Sequence, residues 1–133
     1  MKKVWVNGTF DVLHIGHIKL FEFAKSLGDY LVVAIDSDER IKELKGPSRP
    51  INNQEIRKEF LEAIKFIDEI RIFNSEEDMI SNIKDIGPDI MVWGNEYKDK
   101  RKVGVEYGKE TVYFEKIKGY SSTDVINKIN DNT

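Results

Sequence analysis

The sequence predicts an α/β fold of the Rossmann-like, doubly wound type: a single domain over residues 1–133, built on a mostly parallel sheet with helices on both faces. Three observations lead there. β-prone runs alternate with segments apolar at helical spacing along the chain. Tyr30-Leu-Val-Val-Ala-Ile35 is a continuous β-branched run, the pattern of a strand buried on both faces. A length of 133 residues suits one hydrophobic core. Successive βα units joined by right-handed crossovers then give one sheet covered on both sides.

Each element has its own local reason. Lys3 to Val6 is a short β-prone run that ends at Asn7-Gly8, and His17 to Leu27 is apolar at helical spacing until Gly28 stops it. Tyr30 to Ile35 forms the second strand and Asp38 to Leu44 a short helix. Lys45-Gly-Pro-Ser-Arg-Pro50 must be a loop, and Asn53 caps a helix from Gln54 to Ile67. Glu69 to Phe73 reads as the third strand. The unit then repeats, with Glu76 to Ile86 as helix and Asp89 to Trp93 as strand, and again with Glu110 to Phe114 as strand and Ser122 to Ile129 as helix. Glu96 to Gly108 is polar and irregular. In such sheets ligands sit outside the carboxyl ends of the strands, where polar clusters fall at Asn7 to His17, Gly94 to Lys98 and Lys118 to Thr123.

Composition narrows the function. With 40% apolar and 34% charged residues the chain is expected to fold unaided, and with no cysteine it has no disulfide, thiolate metal site or cysteine nucleophile, which suits a cytoplasmic setting. The opening stretch, broken by Asn7, Gly8 and Asp11, does not read as an export signal, and the longest apolar run is far short of the roughly 20 residues of a membrane-spanning helix. A net charge of −3 argues against a nucleic-acid surface.

Both histidines of the chain, His14 and His17, fall between the first strand and the first helix, in Gly8-Thr-Phe-Asp-Val-Leu-His-Ile-Gly-His17. A helix N-terminus offers unpaired N–H groups and the positive end of the dipole, so an anion docked there is stabilised before any side chain acts. Gly16 leaves room for a phosphate, and two imidazoles three residues apart can point at the same oxygens. The plainer reading is a helix cap and a surface histidine. No third ligand is spaced for zinc, and neither GxGxxG nor GxxxxGK[ST] occurs, so hydride transfer and P-loop chemistry lack their usual anchors.

These residues resemble the cytidylyltransferase-like nucleotidyltransferases, whose signature is GTFD followed by HxGH, over nearly the whole chain. Within that family the chain is similar to the ADP-heptose synthase adenylyltransferase branch, through Asn7-Gly8, Leu44-Lys-Gly-Pro-Ser-Arg-Pro50, Gly94-Asn-Glu-Tyr-Lys98 and Gly119-Tyr-Ser-Ser-Thr-Asp-Val-Ile126. It is also similar to the glycerol-3-phosphate cytidylyltransferase branch. The resemblance implies that Gly8, Thr9, Phe10 and Gly16 contact the nucleotide, and that His14, His17 and Lys45 act on the reacting phosphates. Gly94 and Glu96 would join the nucleotide site, with Asn95-Glu96 standing where the family has acidic pairs or Gly-Asp. Ser121, Ser122 and Thr123 match a family stretch at a helix start, where hydroxyls can cap the helix and hold phosphate oxygens. Asp11, Lys42 and Arg57 fall on the acceptor side. Asp11 is also a candidate magnesium ligand or a turn stabiliser, Lys42 alternatively faces solvent, and Arg57 alternatively lies on the solvated face of its helix.

The implied reaction transfers a nucleoside monophosphate from ATP or CTP to a phosphorylated small molecule, with Mg2+ accompanying the triphosphate, no resident metal and pyrophosphate leaving. A sugar 1-phosphate, heptose above all, is the preferred acceptor and glycerol 3-phosphate the alternative. A homodimer is implied by the resemblance. A non-catalytic nucleotide-binding module and a scaffold domain share the fold and are separated from an enzyme only by assay.

Overall fold

A computed structural model describes residues 1–115 of the chain. The elements run β1 (Lys3–Gly8), α1 (Ile15–Ser26), β2 (Tyr30–Asp36), α2 (Asp38–Lys45), α3 (Gln54–Glu62), β3 (Glu69–Phe73), α4 (Glu76–Ile86), β4 (Ile90–Gly94) and β5 (Glu110–Phe114). Two short 3-10 turns, Asn95–Tyr97 and Val105–Tyr107, lie between the last two strands. The strands form one five-stranded sheet in the order β3-β2-β1-β4-β5, with every neighbouring pair parallel. This is the Rossmann-like, doubly wound architecture that the alternation of elements predicts. The order reverses between β1 and β4, so the ligand crevice belongs at the carboxyl ends of those strands.

Alternation along the strands sorts the core into two layers. Val4, Val6, Leu31, Val33, Ile35 and Val92 face α1 and α3, where they meet Phe21, Ala24 and Leu61. Their sequence neighbours Trp5, Val32, Ala34, Met91 and Trp93 face α4 and meet Met79, Ile83 and Ile86. The register Val6↔Val33 and Ile35↔Ile72 keeps like faces together, since a one-residue slip would turn each set to the wrong side. As its continuous apolar run requires, β2 is an interior strand buried on both faces.

The helix expected from Gln54 to Ile67 ends earlier, at Glu62 with Ala63 as C-cap. Residues 63–68 are spent instead on reaching a fixed point: the Asp68 N–H donates to the Leu31 carbonyl and the Asp68 carboxylate accepts from the Leu31 N–H, both near 2.8–2.9 Å. Those two bonds set the entry of β3 beside β2, and Ile64, Phe66 and Ile67 pack into the first core layer on the way. The first helix starts two residues before the expected His17, because His14 rather than a later residue caps it. The first strand runs on to Gly8, and β4 is shifted one residue toward Gly94. The helix expected from Ser122 to Ile129 lies outside the described residues. No helix among the described residues is long and apolar enough to cross a membrane.

Candidate active site

The turn from β1 into α1 builds the centre of the site. His14 is the N-cap of α1: its Nδ1 accepts from the Gly16 N–H at 3.0 Å, while the His14 N–H donates to Nδ1 of His17 at 3.2 Å. This is a capping box made by two imidazoles, with His17 in the place that Glu or Gln usually fills. The reciprocity fixes the chemistry of both rings. An Nδ1 that accepts carries no proton, so each neutral ring bears its hydrogen on Nε2 and presents a donor on the side away from the backbone. The rings lie 3.9 Å apart between centroids at 30°, so both donors serve one region.

Phe10 completes the turn. Its backbone sits at φ 48°, a conformation that side chains rarely adopt, and its ring packs edge-on against His17 and Phe21 at 5.3 and 5.1 Å. Gly8 makes this possible, since a Cβ there would lie 3.0 Å from the Phe10 ring. The expected nucleotide contact at Gly8 thus coincides with a packing requirement: the missing side chain is room for Phe10.

A cavity of about 480 Å³ opens over this turn, a size ordinary for small-molecule sites. Gly8, Thr9, Phe10, His14, Gly16 and His17 form its middle, with Gly94 and Glu96 from the end of β4 on one side. Lys45 lines it from the last turn of α2. Gly46 follows at a positive φ of 95°, which favours glycine, and ends the helix directly after Lys45. The structure therefore brings together nine of the residues that the sequence nominates. Ser121, Ser122 and Thr123 lie outside the described residues.

Three nominated residues stand elsewhere. Lys42, one turn before Lys45, is exposed and does not line the cavity. Asp11 is 2% exposed and both its carboxylate oxygens are taken by backbone N–H groups, Oδ2 by Ile51 and Oδ1 by Asn52, each at 2.7 Å. Arg49 approaches the same carboxylate at 3.5 Å and the Asn52 side-chain amide donates to the Asp11 carbonyl. Asp11 is thus the anchor of the 49–52 loop, and this donor set does not fit it for magnesium. Among the described residues no cluster of three His, Asp or Glu side chains could hold a metal ion.

Arg57 corrects both of its expected placements. It is 1% exposed, neither on the solvated face of α3 nor on the cavity wall. Its Nε donates to the Asn52 carbonyl at 3.0 Å, Nη1 to the carbonyls of Thr9 and Asp36 at 3.0 and 2.7 Å, and Nη2 to the Asp38 carboxylate at 2.8 Å. One guanidinium thereby joins the β1–α1 turn, the end of β2, the start of α2 and the 49–52 loop.

The cavity also holds residues that the sequence reading passed over. Asp36, at the carboxyl end of β2, pairs with Arg40 at 2.8 Å, and both are largely buried yet line the cavity. Arg101, from the long segment after β4, reaches back to Glu76 at the start of α4 through two parallel bonds of 3.0 and 3.1 Å. The Arg101 guanidinium holds the Glu76 carboxyl below the usual carboxylate range, and Arg40 is near enough to add to the effect. On the opposite side Trp93 and Tyr97 pair at 5.6 Å between ring centroids. Trp93 is 7% exposed, and its buried indole N–H makes no hydrogen bond among the described residues.

With this geometry in hand, the likenesses to known proteins are specific. The cytidylyltransferase-like family profile matches residues 5–128. The chain is 44% identical over 126 residues to the bifunctional protein HldE of Campylobacter fetus, covering 95% of this chain and 27% of that protein. It is 41% identical over 128 residues to the bifunctional protein HldE of Helicobacter hepaticus, covering 96% and 26%. The chain thus spans about a quarter of the length of these relatives. Among solved structures, the lipopolysaccharide core biosynthesis protein of Thermoplasma volcanium superposes with a TM-score of 0.73 at 27% identity, covering 88% of this chain and 98% of that one.

Proposed function

The chain belongs to the cytidylyltransferase-like family of nucleotidyltransferases, and from that membership we propose that it transfers a nucleoside monophosphate from ATP to a sugar 1-phosphate, a heptose 1-phosphate above all, releasing pyrophosphate. The observation that carries the reading is the His14–His17 pair, two imidazoles whose Nδ1 atoms are occupied and whose Nε2 donors serve one region at the N-terminus of α1. In the reaction an oxygen of the acceptor phosphate attacks the α-phosphorus in line, the new P–O bond forms, and the bond to the β-phosphate oxygen breaks. Little covalent work falls to the protein, which acts by positioning and by stabilising charge. The Nε2–H groups of His14 and His17, the amide groups of the first turn of α1 and the Lys45 ammonium balance the charge that gathers on the α- and β-phosphate oxygens. Thr9, Phe10, Gly16, Gly94 and Glu96 line the nucleotide's course, and Ser121, Ser122 and Thr123 belong to the same assignment by resemblance. Mg2+ accompanies the triphosphate in this reading, and Asp11, 2% exposed and off the cavity wall, is given no part in holding it. A homodimer and a cytoplasmic setting belong to the same reading, the first by resemblance and the second by the cysteine-free composition.

The test is a matrix of ATP and CTP against heptose 1-phosphate, other sugar 1-phosphates and glycerol 3-phosphate, read by pyrophosphate release. ATP with a sugar 1-phosphate is expected to give the highest kcat/KM. A higher value for CTP with glycerol 3-phosphate would overturn the acceptor assignment and leave the chemistry standing, whereas nucleotide binding without release from any pair would favour a non-catalytic module.

Lys45 and Lys42 provide an internal comparison. Both are exposed, but Lys45 lines the cavity at the end of α2, whereas Lys42, on the preceding turn, does not. Lys45→Ala is expected to lower kcat/KM by about 10²-fold, the scale for losing one stabilising cation beside the reacting phosphates, and Lys42→Ala by less than about threefold. Equal or reversed losses in steady-state kinetics would show that the wrong lysine had been assigned.

A further inference from the structure

The cavity has two chemically distinct arms. On the β4 side it is walled by Trp93 and Tyr97, two rings 5.6 Å apart that suit the π face of a base. On the β2 side it is walled by the Asp36–Arg40 pair, with Phe73 beneath the Arg40 guanidinium at 5.7 Å, and Lys45 lines the cavity from the end of α2. A nucleotide whose phosphates lie over the β1–α1 turn would fill the first arm with its base, which leaves the second to the acceptor.

We infer that Asp36 and Arg40 are acceptor-specificity residues that read neighbouring hydroxyl groups of the acceptor, so that the second substrate is a polyhydroxylated phosphate whose free hydroxyls, and not a second anionic group, are recognised. The inference rests on the transferase reading above and deepens it. Asp36 and Arg40 have side chains only 13% and 16% exposed, and such a pair bears a desolvation cost that its single bond offsets only in part. Holding α2 to the sheet does not require it: the Ser37 hydroxyl already caps α2 through the Arg40 N–H, and Arg57 already grips Asp38 at the first residue of the helix.

The pair is also incompletely used. Arg40 bonds Asp36 through Nε alone, and its two Nη groups make no hydrogen bond among the described residues. The second Asp36 oxygen has only the Thr9 hydroxyl at 3.5 Å, the outer limit of a bond. An acceptor oxygen and two donors therefore stand side by side on the cavity wall. A hydroxyl both donates and accepts, so neighbouring hydroxyls can satisfy carboxylate and guanidinium together. A phosphate or carboxylate would suit Arg40 but would meet the Asp36 charge, and that repulsion decides between the two ligands.

The experiment is calorimetric titration of heptose 1-phosphate and its monodeoxy analogues into the wild-type chain, Asp36→Asn and Arg40→Met, with ATP titrated separately and thermal melts as a check on folding. The wild type is expected to bind the parent about 10–100-fold more tightly than at least one monodeoxy analogue, the scale of a hydrogen bond to a charged group. In either variant that ratio falls to within about threefold while the Kd for ATP stays put, as loss of that one bond requires. Three outcomes overturn the inference: a wild type that binds every deoxy analogue as well as the parent, one that binds no sugar 1-phosphate, or variants in which ATP affinity falls and the deoxy ratio persists. The wild-type deoxy series needs no variant and stands even if a substitution unfolds the chain. Pyrophosphate release is measured in parallel: discrimination without release would sink the transferase reading alone, and release without discrimination would sink this inference alone.

Discussion

Arg57→Ala is expected to destabilise the fold by about 3–5 kcal/mol, the range for removing one partner of a buried, hydrogen-bonded charge cluster. The arginine is 1% exposed and holds three backbone carbonyls, those of Thr9, Asp36 and Asn52, in addition to the Asp38 carboxylate. Truncation strands acceptors that have little access to water, and each stranded group costs about 1–3 kcal/mol unless water enters or the segments move apart. Lysine at this position keeps the charge but not the planar fork, so one ammonium would have to replace donors aimed at four groups on different segments. Arg57→Lys is therefore expected to recover only part of the loss. Urea denaturation is the measurement: a lower midpoint with an unchanged slope reports lost stability in an otherwise intact fold. Turnover well below the melting temperature should fall as well, because the Thr9 carbonyl is the tether of the turn that carries His14 and His17. A loss under about 1 kcal/mol, typical of a surface substitution, would show that these bonds hold nothing together.

Arg57 also marks where sequence reasoning stops. In Gln54-Glu-Ile-Arg-Lys-Glu59 every neighbour but one is polar, and an arginine there reads as part of a solvated helix face. A signal was present nonetheless: Leu61, four residues on, is fully buried, so Arg57 lies one turn below it on the same stripe. Elements with complete local punctuation were fully legible. For α4, the Ser75 hydroxyl accepts from Asp78 N–H at the start and Gly87 takes a left-handed turn at the end, so both boundaries are written in adjacent residues. The end of α3 was not legible because a contact with Leu31, more than thirty residues away, decides it. The candidate site divides in the same way. Its phosphate cradle occupies ten consecutive residues and shows as a motif, whereas Asp36, Arg40, Trp93 and Arg101 meet only because the sheet order sets the ends of β2 and β4 on either side of β1. An acidic residue closing a strand as continuous as Tyr30–Asp36 was the available hint for that second set.

His17→Ala is expected to lower turnover by about 10²–10³-fold, the range for losing one preorganised donor to charge that develops in the transition state. The substitution removes two things, however, and they must be separated. One is the Nε2 donor of the proposed mechanism. The other is the cap, since Nδ1 of His17 accepts from the His14 N–H and so helps to orient the neighbouring imidazole that the same mechanism uses. Losing a cap of this kind costs about 1 kcal/mol in stability. His17→Gln separates the roles, because glutamine is a natural occupant of this capping-box position and can return a carbonyl oxygen to the His14 N–H. Its side-chain amide is a neutral donor in a different place and cannot reproduce the fixed Nε2–H of a ring packed edge-on against Phe10. The expected result is a thermal midpoint restored toward the wild type in the glutamine variant while turnover stays low in both. If glutamine recovers turnover together with stability, His17 serves the helix and not the phosphates, and the chemistry passes to His14 and Lys45.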